Sequence, residues 1–457
     1  MKKCAAVVLI VVLLCTMLTL PANAAGFALP ESVSVTAASA YFVNLDTGIV
    51  VYEKNADQRR SVASLTKLMT ALLLVENVQD LDGTVWLAES SLFVPPITNS
   101  DSSTSDIRPR EEVTARSVLY GMLLPSGNEA AAIAAYHLGN GNLENFYAMM
   151  NARAKELGCN DTNFTNPHGL IGMDGGNYST AHDLYLIANA CWQNETFRTA
   201  ATTPTYTMPA TNKHAEPYLI QTSVKTQVVG TPVYRDYFRG MKTGSTMEAG
   251  RNYVSSAVSP TGESFIGVVL GSPWEAAEDG YAQSFHDSIN LYDWIFANFS
   301  VKPTLDVTSP IAEVPVTLSN DTDALKLFPA ADLKTILPNS NAENQLEKEF
   351  NLPESVKAPI KQGDKIGTVT IRVAGETIGT VDLVAAQDVS RNTLLLIFDR
   401  IGAFFKSTYV RVVLILTAIY IAGYVAIYAW IHYQAQKRRE ARRRREEALR
   451  KRNRGDD

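Results

Sequence analysis

A serine and a lysine three residues apart are the side chains of this 457-residue chain best suited to nucleophilic chemistry. Ser64 and Lys67 lie in the segment RRSVASLTKLMTALLLVE, residues 59–76, whose apolar residues recur at the spacing of a helix packed on a core. Residues three apart share a helix face, so the amine can reach the hydroxyl. Apolar neighbours desolvate Lys67 and lower its pKa, which lets the neutral amine take the serine proton. An isolated Ser-x-x-Lys is equally compatible with a capping serine and a lysine that extends to solvent.

Two further polar motifs follow in the chain. Residues 126–128, in LLPSGNEA, form a Ser-Gly-Asn loop between predicted helices, and residues 242–244, in FRGMKTGSTMEAGRNYV, form a Lys-Thr-Gly strand. Strand alternation directs Lys242 and Gly244 to one face, where the glycine lets an extended substrate approach the backbone. Alone, the first motif is typical of a turn and the second of a charged edge strand. Together, in this order and at these spacings, the three motifs indicate an active-serine site.

Strands and helices are predicted in an order that would bring these motifs together. The alternating segment 40–55 turns at Asp46 to Gly48 and predicts a β-hairpin. Helical patterns follow at 65–75, 114–124, 129–139, 145–158 and 180–192, then strands at 236–246, 252–259 and 264–272, then a helix at 285–299. We therefore expect an α/β (α+β) fold, in which the first and last strands of one antiparallel sheet meet and a helical lobe is inserted between them.

Both ends of the chain indicate export and membrane attachment. Residues 1–24 combine Lys2 and Lys3, an apolar run and an Ala-x-Ala site, which is typical of a secretory signal peptide cleaved after Ala24. Residues 25–300 should then form the catalytic domain. Residues 301–390 change to short β-prone pieces without a catalytic constellation and predict a small β-rich domain that acts as a spacer. Residues 391–411 form a juxtamembrane segment that is suited to the membrane surface.

Residues 412–433 contain no Asp, Glu, Lys or Arg and predict a single transmembrane helix. At about 1.5 Å per residue such a helix spans roughly 33 Å, enough for a hydrocarbon core of about 30 Å. The tail that follows, residues 434–457, has 11 Lys/Arg against 5 Asp/Glu, although the whole chain carries a net charge of −6. The positive-inside bias assigns this tail to the cytoplasm and the catalytic domain to the outside. Anionic lipid headgroups account for the basic tail, so we predict no nucleic-acid partner.

The cysteines and histidines point to no metal chemistry. Of the four cysteines, Cys4 and Cys15 fall in the signal peptide, which leaves Cys159 and Cys191 in the exported part. A disulfide and two free buried thiols are both compatible with the sequence. The six histidines are scattered. We predict neither a metal nor a cofactor.

With these motifs in place, the chain resembles the D-alanyl-D-alanine carboxypeptidases, the low-molecular-mass penicillin-binding proteins that share the active-serine fold of β-lactamases. The resemblance also includes RRSVASLTKLMT, NFTNPHGL and NYSTAHDL, and it covers nearly all of the exported part. The later segment APIKQGDKIGTVTI…GETIGTVDLVAAQDV resembles the C-terminal β domain of the same family. The resemblance as a whole implies a β-lactamase/transpeptidase-like sheet with an inserted helical lobe, followed by a small β-rich domain.

The resemblance also implies roles for the motif residues. Ser64 would be the nucleophile that forms the acyl-enzyme, and Lys67 its general base. Ser126 would relay a proton to the leaving group, Asn128 would bind the substrate amide, and Lys242 would hold positive charge near the cleft.

The end of the third motif would bind the substrate backbone and its carboxylate. Thr243 and Thr246 would lie near the carboxylate, and Gly244 would let the substrate approach. The N–H groups of Ser64 and Ser245 would form an oxyanion hole, a contribution of about 3 kcal/mol per donor. Many relatives have a histidine in place of Ser245, and they carry a later arginine that anchors the carboxylate. The segment 271–288, GSPWEAAEDGYAQSFHDS, has no arginine, which predicts a weak hold on that group.

The implied function is removal of the terminal D-alanine from peptidoglycan stem pentapeptides, with β-lactams as covalent inhibitors, at the bacterial cell membrane. An endopeptidase acting on peptidoglycan cross-links, a β-lactamase and a catalytically inactive penicillin-binding scaffold are the alternatives. A β-lactamase needs an additional carboxylate for deacylation. Glu156, four residues before Asn160, is the nearest match, but its segment ARAKELG is typical of a solvated helix end.

Overall fold

The computed structural model describes residues 29–170, 176–340, 346–373 and 376–452, so the predicted signal peptide at 1–24 lies outside the described residues. Spatial proximity divides the chain into two units. The first unit contains residues up to Asp306 together with Ala331–Phe350 and Val369–Val381. The second contains Val307–Ala330, Asn351–Thr368 and the chain from Asp382 onward.

The first unit is built on a five-stranded antiparallel sheet. The strands up to residue 272 are β1 Ser39–Asn44, β2 Val50–Lys54, β3 Arg60–Ser61, β4 Val85–Leu87, β5 Glu112–Thr114, β6 Tyr178–Ser179, β7 Thr205–Met208, β8 Tyr218–Gln221, β9 Phe238–Thr246, β10 Gly250–Val258 and β11 Ser264–Ser272. The large sheet has the order β2-β1-β11-β10-β9. The predicted hairpin is therefore confirmed as β1–β2, and the first strand meets the last, with Phe42 opposite Gly267.

Helices cover both faces of this sheet. They are α1 Lys67–Asn77, α2 Ala115–Leu123, α3 Asn128–Leu138, α4 Leu143–Glu156, α5 Ala181–Gln193, α6 Glu195–Thr202 and α7 Gln283–Asn298. Alternate residues of β10 enter different cores, because successive strand side chains point to opposite faces. Val254 packs in the cluster that contains Leu68 of α1, and Tyr253 packs in the cluster that contains Tyr292 of α7. The predicted helical lobe thus lies on one face and the last helix on the other.

The first helix departs from the prediction at its start. The sequence predicts helix over 65–75, but residues Ala63–Thr66 form a 3₁₀ turn and the α-helix begins at Lys67. In a 3₁₀ turn the residues i and i+3 eclipse one another, whereas in an α-helix they diverge slightly. The tighter turn therefore brings Ser64 and Lys67 closer together.

The loop before β6 holds this 3₁₀ turn in place. The amide of Asn177 donates to the hydroxyl of Thr66 at 2.9 Å and to the carbonyl of Asn166 at 2.9 Å. Gly169 has a φ of +86°, and a Cβ atom at this position would overlap the carbonyl oxygen of Ala63. Only a glycine permits this contact, because it tolerates the left-handed conformation and has no side chain.

After residue 298 the chain is mostly β-strand. The strands are β12 Phe299–Leu305, β13 Ala312–Thr317, β14 Ala324–Pro329, β15 Leu333–Pro338, β16 Leu346–Asn351, β17 Val356–Lys357, β18 Lys365–Val373 and β19 Glu376–Ala385. In the first unit, β12 pairs antiparallel with β15. In the second unit, β13 pairs antiparallel with β14 and parallel with β17, and β14 pairs with the end of β19. The β-rich character predicted for this region is therefore present.

Two helices end the described chain, α8 Thr393–Lys406 and α9 Thr408–Arg452. α9 contains the predicted span at 412–433 and most of the basic tail in one continuous helix. By length and composition its segment Thr408–Arg450 is long and apolar enough to cross a membrane, and its most apolar stretch is not buried inside the protein. α8 also has no buried residue, although it carries Leu394, Phe398 and Phe404.

Replacing Gly169 with alanine should lower the free energy of unfolding of the first unit. The loss should exceed the cost of placing a non-glycine residue in a left-handed backbone conformation. A non-glycine residue in this conformation costs about 1–3 kcal/mol, and the added Cβ would also overlap Ala63. We expect a lower Tm, measured by thermal unfolding.

Gly230→Ala is the matched control, because Gly230 has a φ of +89° but nothing lies within 4 Å of the position that an added methyl group would occupy. Equal Tm decreases for the two variants would contradict a role for the contact with Ala63.

Candidate active site

The side chains of Ser64 and Lys67 meet at the junction of the 3₁₀ turn and α1. Lys67 Nζ lies 2.8 Å from Ser64 Oγ, and the lysine is completely buried. Two more oxygens surround the amine, Asn128 Oδ1 at 2.7 Å and the carbonyl oxygen of His168 at 2.8 Å. Three segments that are distant in sequence therefore converge on one nitrogen.

The hydrogen-bond partners of Lys67 determine where the lone pair of a neutral amine would point. The amide oxygen of Asn128 and the carbonyl of His168 can only accept hydrogen bonds. A neutral amine has two N–H groups, and both are used by these acceptors. Its lone pair is then left for the third neighbour, the hydroxyl of Ser64. The arrangement positions Lys67 to take the proton of that hydroxyl.

The electrostatic surroundings favour the neutral amine. Burial lowers the pKa of Lys67 well below its usual value, and the positive charge of Lys242 lowers it further. The negative charge of Glu129 opposes this effect and raises the pKa of Lys67. Glu129 is itself buried, with Oε1 accepting from Thr104 Oγ1 at 2.9 Å and from Ser105 Oγ at 2.8 Å. The carboxylate is thus tied to a neighbouring loop and makes no hydrogen bond to Lys67 in the described part of the chain.

Ser126 has a buried hydroxyl without a partner. Its φ is +70°, a left-handed value that is unusual for serine, and it is 5% exposed. Within the described ranges, Ser126 Oγ makes no hydrogen bond. A buried polar atom without a partner costs about 1–3 kcal/mol, and strained backbone tends to occur at functional sites. This hydroxyl is therefore available to exchange a proton with a bound molecule.

Asn128 is oriented from both ends of its amide. Its Oδ1 accepts from Lys67, and its Nδ2 donates to Ser102 Oγ at 2.7 Å. Its backbone N–H donates to the carbonyl of Ser103 at 2.9 Å. Sequence reasoning missed Ser102, because one serine in the polar segment SDSSTSD has no distinguishing pattern.

The third motif lies on β9, the edge strand of the large sheet. Lys242 is completely buried, its Nζ donates to the carbonyl of Thr243 at 3.0 Å, and burial lowers the pKa of Lys242 to about 7. A Cβ atom at Gly244 would lie 2.8 Å from the carbonyl oxygen of Val62 and 2.9 Å from the N atom of Leu65. The glycine therefore lets β9 pack directly against the turn that carries Ser64.

The remaining residues of this motif are more accessible. Thr243 and Thr246 are half-buried, and Ser245 is exposed. Thr243 Oγ1 lies 2.8 Å from Ser223 Oγ, and Thr246 Oγ1 accepts from the N–H of Ala249 at 3.0 Å. Lys242 and Gly244, which share one face of the strand by alternation, are both buried.

His168 contributes its backbone carbonyl rather than its side chain. Burial and the charge of Lys67 lower the pKa of the His168 ring to about 3, so the ring is neutral. Its Nδ1 accepts from the N–H of Leu170 at 3.1 Å. Sequence reasoning gave this residue no role. The only signal was the segment NFTNPHGL, whose Asn-Pro and His-Gly pairs indicate a constrained loop.

Cys159 and Cys191 do not form a disulfide. Both Cys159 and Cys191 are free buried thiols, which decides between the two alternatives left open by the sequence. Cys159 Sγ donates to the carbonyl of Asp183, and Cys191 Sγ donates to the carbonyl of Leu68, each at 3.4 Å. Burial raises the pKa of Cys159 to about 12. Within residues 29–170, 176–340, 346–373 and 376–452, we find no group of three or more His, Cys, Asp or Glu side chains arranged to hold a metal ion.

Glu156, the nearest sequence match to a deacylating carboxylate, makes surface contacts. Its side chain is 65% exposed and pairs with Arg153 at 3.1 Å, three residues earlier on α4. This is the solvated helix end that the sequence predicts.

Comparison with known proteins assigns the chain to a family. Residues 26–273 match the profile of the D-alanyl-D-alanine carboxypeptidase family, Peptidase S11, and residues 305–391 match that of the penicillin-binding protein 5 C-terminal domain. D-alanyl-D-alanine carboxypeptidase DacF of Bacillus subtilis is 28% identical over 360 residues, which cover 78% of this chain and 86% of the relative. The D-alanyl-D-alanine carboxypeptidase of Streptomyces sp. is 33% identical over 245 residues, which cover 52% of this chain and 82% of that protein.

Solved structures agree with this assignment. Penicillin-binding protein 5 from Haemophilus influenzae is 27% identical and superposes with a TM-score of 0.58, over 80% of this chain and 100% of the other. The family profile covers more than half of the chain and includes the Ser-x-x-Lys, Ser-Gly-Asn and Lys-Thr-Gly motifs. The chain belongs to the D-alanyl-D-alanine carboxypeptidase family of serine-type peptidases, within the low-molecular-mass penicillin-binding proteins.

Proposed function

We propose that this enzyme removes the terminal D-alanine from peptidoglycan stem pentapeptides through an acyl-enzyme on Ser64. The observation that carries the proposal is the placement of Lys67 Nζ, 2.8 Å from Ser64 Oγ, with its other two neighbours able only to accept hydrogen bonds. This arrangement aims the lone pair of a neutral amine at the nucleophilic hydroxyl.

Acylation begins when Lys67 takes the hydroxyl proton and Ser64 Oγ attacks the carbonyl carbon between the two D-alanines. The carbonyl oxygen becomes an oxyanion, which the backbone N–H groups of Ser64 and Ser245 stabilise. The C–N bond then breaks, and the amine of the departing D-alanine needs a proton. Ser126 supplies that proton and is reprotonated from Lys67, a relay supported by the unpartnered hydroxyl of Ser126.

Deacylation uses the same groups in reverse. Departure of D-alanine opens its position to water, and the Lys67/Ser126 pair takes a proton from that water while it attacks the ester. The C–O bond to Ser64 breaks, and the serine regains its proton. A further base is not required, because the departure of D-alanine opens space for a water molecule next to Lys67 and Ser126.

The extended peptide would lie along the open edge of β9. Edge strands have unpaired backbone groups that can bind an added strand, and Gly244 keeps this edge close to Ser64. Asn128 would then bind the substrate amide, while Lys242, Thr243 and Thr246 would lie near the substrate carboxylate. The buried Lys242 would contribute positive charge from beneath the strand.

β-Lactams should acylate the same serine, but the resulting acyl-enzyme should be hydrolysed slowly. The ring-opened fragment stays attached to the carbonyl carbon and blocks the approach of water, so hydrolysis requires a separate base. The exposed, Arg153-paired position of Glu156 does not suit it for that role. This difference favours a carboxypeptidase over a β-lactamase.

The membrane arrangement follows from the two ends of the chain. Residues 1–24 would direct export, 25–300 would form the catalytic domain, and 301–390 would form a spacer. The helix α8 would lie on the membrane surface, residues 412–433 would cross it once, and the basic tail would remain in the cytoplasm. The support is the apolar stretch of α9 followed by 11 Lys/Arg.

Replacing Ser64 with alanine should abolish D-alanine release from diacetyl-Lys-D-Ala-D-Ala and labelling by fluorescent penicillin. Lys67→Ala should slow labelling by orders of magnitude, on the order of 10²–10⁴-fold, because the general base is lost. Both variants should retain the circular dichroism spectrum of the wild type. Labelling of a folded Ser64→Ala protein at the wild-type rate would exclude Ser64 as the nucleophile.

The acylation rate should fall as the pH is lowered, because Lys67 becomes protonated and can no longer accept a proton. The charge of Lys242 lowers the pKa of Lys67, so Lys242→Gln should raise that pKa and move the acid limb of the profile to higher pH. Penicillin acylation rates measured from pH 5 to 9 would give this limb. Lys225→Gln removes a lysine whose Nζ, among the described residues, donates only to the carbonyl of Thr222, and it should leave the limb in place. A shift to lower pH in Lys242→Gln would contradict the coupling.

The full chain should sediment with membranes, whereas a truncated chain of residues 25–388 should be soluble and still bind penicillin. In intact cells the tail should resist protease added outside and become sensitive once the membrane is permeabilised. Cleavage of the tail before permeabilisation would show that the proposed orientation is reversed.

A further inference from the structure

Segment 102–111, which comes directly before β5 and has no helix or strand of its own, contacts the second motif. Ser102 Oγ accepts from the side-chain amide of Asn128 at 2.7 Å. The backbone N–H of Asn128 donates to a carbonyl of the same segment at 2.9 Å. Ser105 Oγ donates to the buried carboxylate of Glu129 at 2.8 Å. The orientation of Asn128 therefore depends on the position of this segment.

The hairpin of β7 and β8 holds the other side of segment 102–111. Its residue His214 is almost fully buried and lies between two carboxylates of the segment. Nδ1 of the ring lies 3.0 Å from Glu111 Oε1, and Nε2 lies 3.1 Å from Asp106 Oδ2. One imidazole thus connects the hairpin to both ends of a stretch that has no secondary structure.

Only the protonated ring of His214 can donate to both carboxylates. A neutral imidazole has one N–H, so its other nitrogen would direct a lone pair at a carboxylate. Glu111 is completely buried, and a buried carboxylate without its donor is costly. The Asp106 side chain is 60% exposed and can bind water instead. Loss of the ring proton should therefore release Asp106, which directly follows the residue that binds Glu129, Ser105.

The groups that face the His214 ring keep it protonated above its usual pKa of 6.5. Burial acts to lower the pKa of His214, but the hydrogen bonds to Glu111 and Asp106 and the charge of Glu111 outweigh burial, and the pKa is raised. The charge of Arg108, which donates to Asp106 at 3.4 Å, opposes this increase. The ring centroid of Tyr218 lies 4.4 Å from that of the imidazole. The other charged side chains of the segment and of the hairpin loop, with Glu112 of β5, are exposed: Arg110, Glu112, Lys213 and Glu216.

We propose that the protonated ring of His214 positions segment 102–111 against Asn128. Acylation of Ser64 then slows when the ring loses its proton. His214 touches no reacting atom in this scheme and acts through Asn128, whose Oδ1 accepts from Lys67 at 2.7 Å. The effect on acylation rests on the proposed function, whereas the contact between the hairpin and the segment does not. Protonation of Lys67 limits acylation at low pH, so the two groups bound the active pH range from opposite sides.

The test is the rate of penicillin acylation from pH 5 to 9, measured on the full-length protein in detergent micelles for the wild type and His214→Gln. Glutamine keeps a hydrogen-bonding side chain but does not titrate. Below the pKa of His214 the wild type should be at least about fivefold faster, the lower end of the range for coupling between two sites. The two rates should converge above that pKa. The ratio of the rates cancels the titration of Lys67 and Lys242, which both proteins share.

A purely structural role for His214 would give the same ratio at every pH, and a ratio that is constant or equal to one throughout would overturn the proposal. Asp106→Asn leaves the buried ring in place and removes one of the charges that raise its pKa. Its rate should therefore fall at a lower pH than that of the wild type. This variant keeps the proposal testable if His214→Gln does not fold, and an unchanged profile for a folded Asp106→Asn protein would contradict it.

His182→Gln is the matched control. His182 Nδ1 lies 3.3 Å from Asp57 Oδ1, a His–carboxylate pair that involves no residue of segment 102–111. The variant should acylate at the wild-type rate at each pH. A pH-dependent ratio for His182→Gln as large as that for His214→Gln would show that the effect is not specific to the segment, and the proposal would fail.

Hydrogen exchange tests the contact between the hairpin and the segment without any activity. The backbone N–H of Ser105 donates to Glu129, and that of Asn128 donates to Ser103. After correction for the intrinsic rate, both amides should exchange faster in His214→Gln than in the wild type below the pKa of His214, and equally above it. That pKa is read from the NMR titration of the ring.

The two measurements separate failure of this inference from failure of the proposed function. If penicillin does not acylate the protein but the exchange difference is present, the proposed function fails and the positioning of the segment by His214 stands. If acylation proceeds normally but exchange depends neither on His214 nor on pH, the inference fails and the proposed function stands.

Discussion

The burial of Lys67 is the constraint on which the site depends. An ammonium without a counter-ion is too costly to bury, so the group gives up its proton when it is enclosed. The lysines at positions 67 and 242 are both completely buried and both have lowered pKa values. Because the unfolded chain binds protons that the folded chain does not, these lysines reduce stability at neutral pH, and the loss diminishes as pH rises toward 10.5. The burial that keeps the amine of Lys67 neutral therefore lowers the stability of the folded enzyme at neutral pH.

Holding the amine in one orientation requires segments that lie far apart in sequence. Asn128 is 61 residues from Lys67 and His168 is 101 residues away, yet both accept a hydrogen bond from the same nitrogen. Glycines permit this convergence, since Gly169 and Gly244 bring backbone against the turn that contains Ser64. The large apolar cluster shared by α1, the other helices of the lobe and the sheet offsets the strain.

Sequence patterns predicted the parts of the structure that depend on residue type and short-range periodicity. The hairpin, the meeting of the first and last strands, and the contact of Ser64 with Lys67 follow from alternation, chain order and i+3 spacing. The carbonyl of His168 could not be predicted, because every residue has a carbonyl and only the tertiary fold selects one. The 3₁₀ turn at residues 63–66, the free thiols and the bond from Asn128 to Ser102 are likewise decided by packing between distant segments.

The two buried lysines divide the electrostatic tasks of the proposed mechanism. Burial lowers the pKa of Lys67, as a general base requires, and the positive charge of Lys242 lowers that pKa further. Burial also lowers the pKa of Lys242 to about 7, so Lys242 is not a permanent cation at neutral pH. An anion bound beside Lys242 would raise this pKa again and increase the positive charge on the lysine. Under the proposed function the two lysines therefore have complementary roles, because the charge of Lys242 would keep Lys67 neutral and would also attract the substrate carboxylate.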